Sequence, residues 1–222
     1  MKRGSSHLEM IISFILFFSF LFFLFIYLQP TSDVSLSKSV HDGLRDSFKQ
    51  EVSTELASFF VRVESKGNFS ILLDNRISSI DFQNAGVLVK DINGNQVDAG
   101  LKQVQDDIFS LSVDGLGGSY YVYISPDFNN TFFGGNLVKY NMGDVYDRQL
   151  LSMKKIEKLA DKYEADYEGL KKDLKVPVNF DFAISGVVEM EGNVPENVEV
   201  FARSYIEDVL MTNGEVESKK IT

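Results

Sequence analysis

MIISFILFFSFLFFLFIYL occupies residues 10–28, nineteen residues without a charge, in which only Ser13 and Ser19 are clearly polar. At about 1.5 Å per residue this stretch makes a helix of roughly 28 Å, close to the hydrocarbon thickness of a bilayer. A central Phe, Leu or Ile contributes roughly −0.3 to −0.6 kcal/mol to insertion, so the whole run favours a membrane by on the order of several kcal/mol. A cleaved secretory signal has an apolar core of about 7–15 residues ending in a small-x-small site. This run is longer and ends in Tyr27-Leu28-Gln29-Pro30, so it is expected to stay attached. Lys2 and Arg3 are the only basic residues near its N-terminal end. They favour a cytoplasmic N-terminus and an external remainder, which predicts a single-pass membrane protein.

The rest of the chain differs sharply in composition. Of 19 Phe in 222 residues, seven lie between Phe14 and Phe25. The chain carries 22 Lys+Arg against 32 Asp+Glu, a formal charge of −10. Setting aside Lys2, Arg3 and Glu9, which together carry +1, leaves −11 on the remainder. Such an acidic body argues against nucleic acid as a partner and keeps a crowded surface layer self-repelling. There is no cysteine, which excludes disulfides and thiolate chemistry, and His7 and His41 are the only histidines. A multi-histidine metal centre is therefore not expected, and neither is a cofactor.

The residues before the apolar run are ordered. Lys2-Arg3-Gly4 is followed by Ser5-Ser6-His7-Leu8, and Glu9 stands at the edge of the run. A carboxylate drawn into hydrocarbon costs several kcal/mol unless paired or protonated, so Glu9 either reaches the headgroup layer or has a partner. A short basic leader ending in Gly, a glutamate five residues beyond it and about twenty apolar residues resemble the class III signal peptide of type IV pilin-like proteins. The short leader and the Ser that follows it look archaeal in type. This likeness covers residues 1–30. It implies cleavage between Gly4 and Ser5 by a prepilin peptidase, retention in the membrane, and assembly into a cell-surface, pilus-like filament with copies of itself or related pilin subunits. The physical rationale is that cleavage creates an α-amino group, cationic near neutral pH, one helical turn from Glu9. Glu9 can then neutralise the amino terminus of a staggered neighbour, or that of its own helix. Phe14, Phe18, Phe22 and Phe25 share one face, suited either to a filament core or to lipid.

Gln29-Pro30-Thr31-Ser32-Asp33 ends or kinks this helix. Leu36, Val40, Leu44 and Phe48 recur every four residues and predict an amphipathic helix over 33–50. From about residue 52 the period becomes two. Strands are expected over 53–64, 69–74, 77–82, 86–92, 107–113, 119–125 and 136–140, with turns at Asn93-Gly94 and at Gly115 to Gly118. A long helix is expected over 145–174, with Ile156, Leu159, Tyr163, Tyr167, Leu170 and Leu174 as its seam. Eight Lys/Arg and six Asp/Glu fill the stretch from Arg148 to Lys175. They suit either a contact stripe for acidic neighbours or a solvated face with pairs such as Glu168 and Lys172. Strands over 178–189, 197–211 and 215–221 follow, the last two joined at Asn213-Gly214. The fold class is therefore α+β. It comprises a leader at 1–4, a hydrophobic transmembrane or filament-core helix at 5–30 and an amphipathic helix at 31–50. An antiparallel, β-rich extracellular domain with one long amphipathic helix occupies 51–222.

The remaining motifs carry little chemistry. Asp91-Ile92-Asn93-Gly94-Asn95 begins like a calcium loop, but Gln96 stands where glycine is required and Lys102 where a carboxylate is required, so it reads as a hairpin turn. Gly115-Leu116-Gly117-Gly118 lacks the lysine of a phosphate loop. Glu207 and Asp208, adjacent on a strand, should face opposite ways and so do not form a catalytic pair. His41 falls off the apolar row of its helix and is expected to face solvent. Asn68 and Asn129 head N-x-S/T sequons in expected loops, making both candidate N-glycosylation acceptors. No nucleophile–base pair or metal constellation emerges, so the expectation is a non-enzymatic subunit. The alternative is a monomeric, membrane-anchored extracellular domain for binding or adhesion.

Overall fold

A computed structural model describes residues 5–27, 32–189, 200 and 202–222. The chain divides into two compact units, Met1–Asp42 and Gly43–Thr222. In the first, α1 (Ser5–Tyr27) is apolar around its whole circumference. The helix α2 (Ser32–Val52) runs from the first unit into the second, and its last turns bury Phe48 and Val52.

The second unit is built on two sheets. In chain order its elements are β1 (Ser53–Val63), β2 (Phe69–Asp74), β3 (Gly86–Asp91), β4 (Gln96–Val97), β5 (Ala99–Gln105), β6 (Ile108–Val113), β7 (Gly118–Ser125), β8 (Asn136–Leu137), β9 (Tyr140–Met142) and β10 (Tyr146–Ser152). Then come α3 (Met153–Ala165), α4 (Tyr167–Asp173), β11 (Ala183–Ile184), β12 (Val188–Glu189), β13 (Tyr205–Leu210) and β14 (Val216–Ile221). Among the described residues the larger sheet runs β12-β11-β14-β13-β10-β1-β7-β3-β4, with β9 also on β1. The smaller runs β5-β6-β2-β8. Pairing is antiparallel except for β10 with β13 and β2 with β8.

Period-two burial produces the main core. Ala57, Phe59, Val61 and Val63 of β1 and Tyr120, Val122 and Ile124 of β7 face Phe69, Ile71 and Leu73 of β2 and Phe109, Leu111 and Val113 of β6. The strands β2 and β6 of the smaller sheet thus offer every second residue to the larger, as two packed sheets require. A second core lies under the helices, where Phe48, Val52, Ile156, Leu159, Leu170 and Phe182 meet Val209 and Ile221.

The larger sheet is curled. Three strands separate β13 from β3, so a flat sheet with about 4.8 Å between strands would hold them about 19 Å apart. Yet the β13–β14 turn reaches β3. A Cβ at Gly214 would lie 3.1 Å from Leu88, and Lys90 is 3.8 Å from Glu215. The curl encloses a small third cluster, Leu56, Leu150 and Leu210, bordered by Tyr123, Phe128 and Val216.

The long helix expected over 145–174 is replaced by a strand and two shorter helices. Residues 146–152 join β1 as β10, with Leu151 opposite Ser53 and Tyr146 opposite Ser58. The buried Ser152 then caps α3 by accepting the Lys155 N–H at 3.0 Å. Asp166 breaks the remainder, ending α3 and accepting the Gly169 N–H at 2.9 Å to start α4. The apolar seam survives this break, since Ile156, Leu159, Leu170 and Leu174 are all buried. Glu168 pairs with Lys171 at 3.8 Å rather than with Lys172.

Other boundaries also shift. Residues 77–82 form no strand but lie between two short 3-10 turns, Asn75–Ile77 and Phe82–Asn84, capped by Asp74 and Asp81. The expected strand at 136–140 divides into β8 and β9, on different sheets. The expected strand at 178–189 is reduced to two-residue bridges, β11 and β12. Of 197–211, only 205–210 is strand, while 197–199 and 201 lie outside the described residues. The strand β5 was not expected at all, because AGLKQVQ has little β propensity of its own. Its pairing with β6 supplies the order.

Candidate functional site

The most distinctive surface is α1 itself. The stretch Glu9–Tyr27 has a mean hydropathy of 2.7 and none of it is buried within the chain, so this helix is long and apolar enough to cross a membrane. Among the described residues its rings pack on one another. Phe14 and Phe18 have centroids 4.6 Å apart, and Phe23 and Tyr27 are stacked at 5.7 Å. Both pairs are four residues apart, where a helix brings side chains together. Phe17, Phe20 and Phe23 are as exposed as the row through Phe14, so apolar surface covers every side of the rod.

Glu9 is exposed in the second turn of this helix, and Ser5 is the first residue of α1. Gly4, with Lys2 and Arg3, lies outside the described residues, as does the kink region around Pro30. The side chain of His41 is half-buried on α2 rather than facing solvent freely.

The sequon residues occupy loops. Asn68 is exposed between β1 and β2, and its carbonyl accepts the Asn136 N–H at 3.3 Å. Asn129 is exposed in the segment after β7, and its carbonyl accepts the Val87 N–H at 3.3 Å. Its neighbour Asn130 works as a clamp, accepting the Leu101 N–H at 2.7 Å and donating to the Leu101 carbonyl at 2.9 Å. This segment runs close against both sheets. A Cβ at Gly86 would stand 2.1 Å from the Phe128 carbonyl oxygen, and one at Gly100 2.2 Å from that of Thr131.

The acidic motifs are absorbed by structure. The Asp91 carboxylate accepts from the N–H groups of Asn93 and Asn95 at 2.8 Å each, and from the Asn95 side chain at 3.0 Å. Bonding from Asn95 holds Asp91 below the usual carboxylate range. Gly94 supplies the left-handed turn residue at φ +86°. Glu207 and Asp208 do face opposite ways. Glu207 meets Arg45 and Lys49 beneath α2, and Asp208 accepts from Ser218 at 2.7 Å. Among the described residues no cluster of three His, Asp or Glu is placed to hold a metal ion.

Sequence reasoning missed a cleft of about 650 Å³ on the larger sheet. Lys49 and Gln50 of α2, Arg148 and Leu150 of β10, and Ile206 and Asp208 of β13 line it. It was hidden because residues 146–152 carry no clear period-two signal and merge with the helical pattern that follows. No family model matches the chain, and no curated protein or solved structure matches it.

Proposed function

We propose that this chain is a pilin-like structural subunit of a cell-surface filament, cut between Gly4 and Ser5 by a prepilin peptidase and assembled through α1. The observation that carries the reading is the uncovered apolar rod with one carboxylate near its start. An apolar helix bare on all sides needs an apolar medium, which lipid supplies before assembly and neighbouring helices supply afterwards. Glu9 has no ion pair among the described residues, so in an apolar medium its carboxylate needs either the headgroup layer or a partner from outside them. The amino group released by cleavage fits that need in charge and spacing. The second unit then stands outside the membrane as the part that meets neighbours or surfaces. Its acidity keeps subunits apart until the helices bring them together.

The test is the mature N-terminus. Intact-mass measurement of native material should show loss of residues 1–4 and a chain that begins at Ser5. A full-length chain from cells with an active prepilin peptidase overturns the reading and leaves a single tethered domain.

A further inference from the structure

The larger sheet contains a seam that opens. Parallel pairing of β10 with β13 covers only Leu151 with Val209 and Ser152 with Leu210. Upstream of these pairs, no ladder joins the two strands among the described residues. The other edge of each is occupied, since β10 pairs with β1 over Tyr146 to Leu151 and β13 pairs with β14 over Tyr205 to Leu210. Two strand edges therefore line the cleft with backbone groups that meet no neighbouring strand among the described residues. Rows of unpaired N–H and C=O groups are what a further strand recognises.

We propose that this cleft receives an extended polypeptide segment, supplied by another chain, which adds along the open edge of β10. Three features define the occupant. Its backbone must be extended, because only a strand matches the spacing of the donors and acceptors. One face must be apolar where the 76% exposed Ile206 stands, beside the buried Leu150. It must also offer an acidic group to Arg148, which makes no ion pair among the described residues. A segment with the pattern of β13 meets all three conditions, and β10 already pairs with Val209 and Leu210 of β13 itself. Charges of both signs at the rim, Lys49 and Asp208 among them, deter indiscriminate edge pairing. This inference does not rest on the processing or assembly of α1.

The experiment uses the full chain in detergent micelles and the labelled peptide acetyl-Tyr-Ile-Glu-Asp-Val-Leu-amide, a copy of Tyr205–Leu210. Fluorescence anisotropy should show saturable binding, weakened at least tenfold when alternate peptide nitrogens are methylated. Hydrogen exchange should slow at residues 146–150 when the peptide binds. Because the chain has no cysteine, Ile206→Cys carrying a bulky maleimide should abolish binding, while the same label on Val104→Cys, exposed on β5, should not. The absence of saturable binding overturns the proposal. Indifference to N-methylation, protection elsewhere, or equal blocking by both labels also overturns it.

Discussion

Glu207 accepts a 2.6 Å hydrogen bond from the Arg45 guanidinium, 162 residues earlier in the chain, and Lys49 lies 2.7 Å from the same carboxylate oxygen. One oxygen on β13 thus ties down the last turns of α2. The Arg45 guanidinium also lies 4.3 Å from the centre of the Tyr205 ring. Burial alone would push the Glu207 carboxyl up, but hydrogen bonds from Arg45 and Lys49 outweigh it and hold the group below its usual value of 4.5.

Glu207→Gln should therefore destabilise the fold. Both cations are about a third exposed, which discounts the loss to about 1 kcal/mol at neutral pH, read as a lower thermal midpoint. The pH dependence has a definite sign. A depressed carboxyl contributes fully above the unfolded value and loses its contribution as the pH falls through the folded one. The gap between the parent and Glu207→Gln should be full at pH 6 and shrink on acidification below the ordinary glutamate range. A gap that widens in acid would contradict the assignment.

Leu111 is wholly buried between the sheets. Leu111→Ala should cost about 2–5 kcal/mol in denaturant titrations, because a packed interior collapses only partly around a deletion. The same change at Leu72, 40% exposed on the neighbouring strand, should cost much less.

Gly86 and Gly134 make a matched pair for close packing. An added Cβ meets the Phe128 carbonyl oxygen at 2.1 Å at Gly86 and meets nothing within 4 Å at Gly134. Gly86→Ala should lower stability by about 2 kcal/mol or more, since backbone must move on one side of the contact. Gly134→Ala should stay within about 0.5 kcal/mol of the parent. Equal midpoints for the two variants would mean that the segment after β7 does not lie against β3.

Glu9→Ala tests the proposed role of the N-terminus. Membrane extraction should be unchanged, because removing a carboxylate makes the span more apolar. Filament yield by electron microscopy should fall sharply if the carboxylate pairs with a neighbour's amino terminus. Normal filaments from this variant would remove the pairing mechanism.

The elements legible in advance were those whose residues carry their own instructions. Residues 10–28 announce a membrane-length helix through length and apolarity alone. Phe69–Asp74 and Val216–Ile221 are bounded by turn signals, and their strands fall close to where those signals place them. The turns at Asn93-Gly94 and Asn213-Gly214 are equally local, since glycine takes the left-handed conformation at φ +86° and +79°. The processing and assembly roles proposed for Gly4, Ser5 and Glu9 rest on order and spacing in the chain alone.

Tertiary structure decided the rest, wherever a segment suits two conformations nearly equally. Tyr146–Ser152 became a strand because β1 had an edge to offer, and Ala99–Gln105 became one because β6 did. Such pairing energy comes from residues far away in the chain, so no local pattern reports it. The same holds for the Glu207 clamp, the curl that brings Gly214 to Leu88, and the seam between β10 and β13. Each depends on which strands become neighbours, and that choice is made only when the sheets close over a shared core.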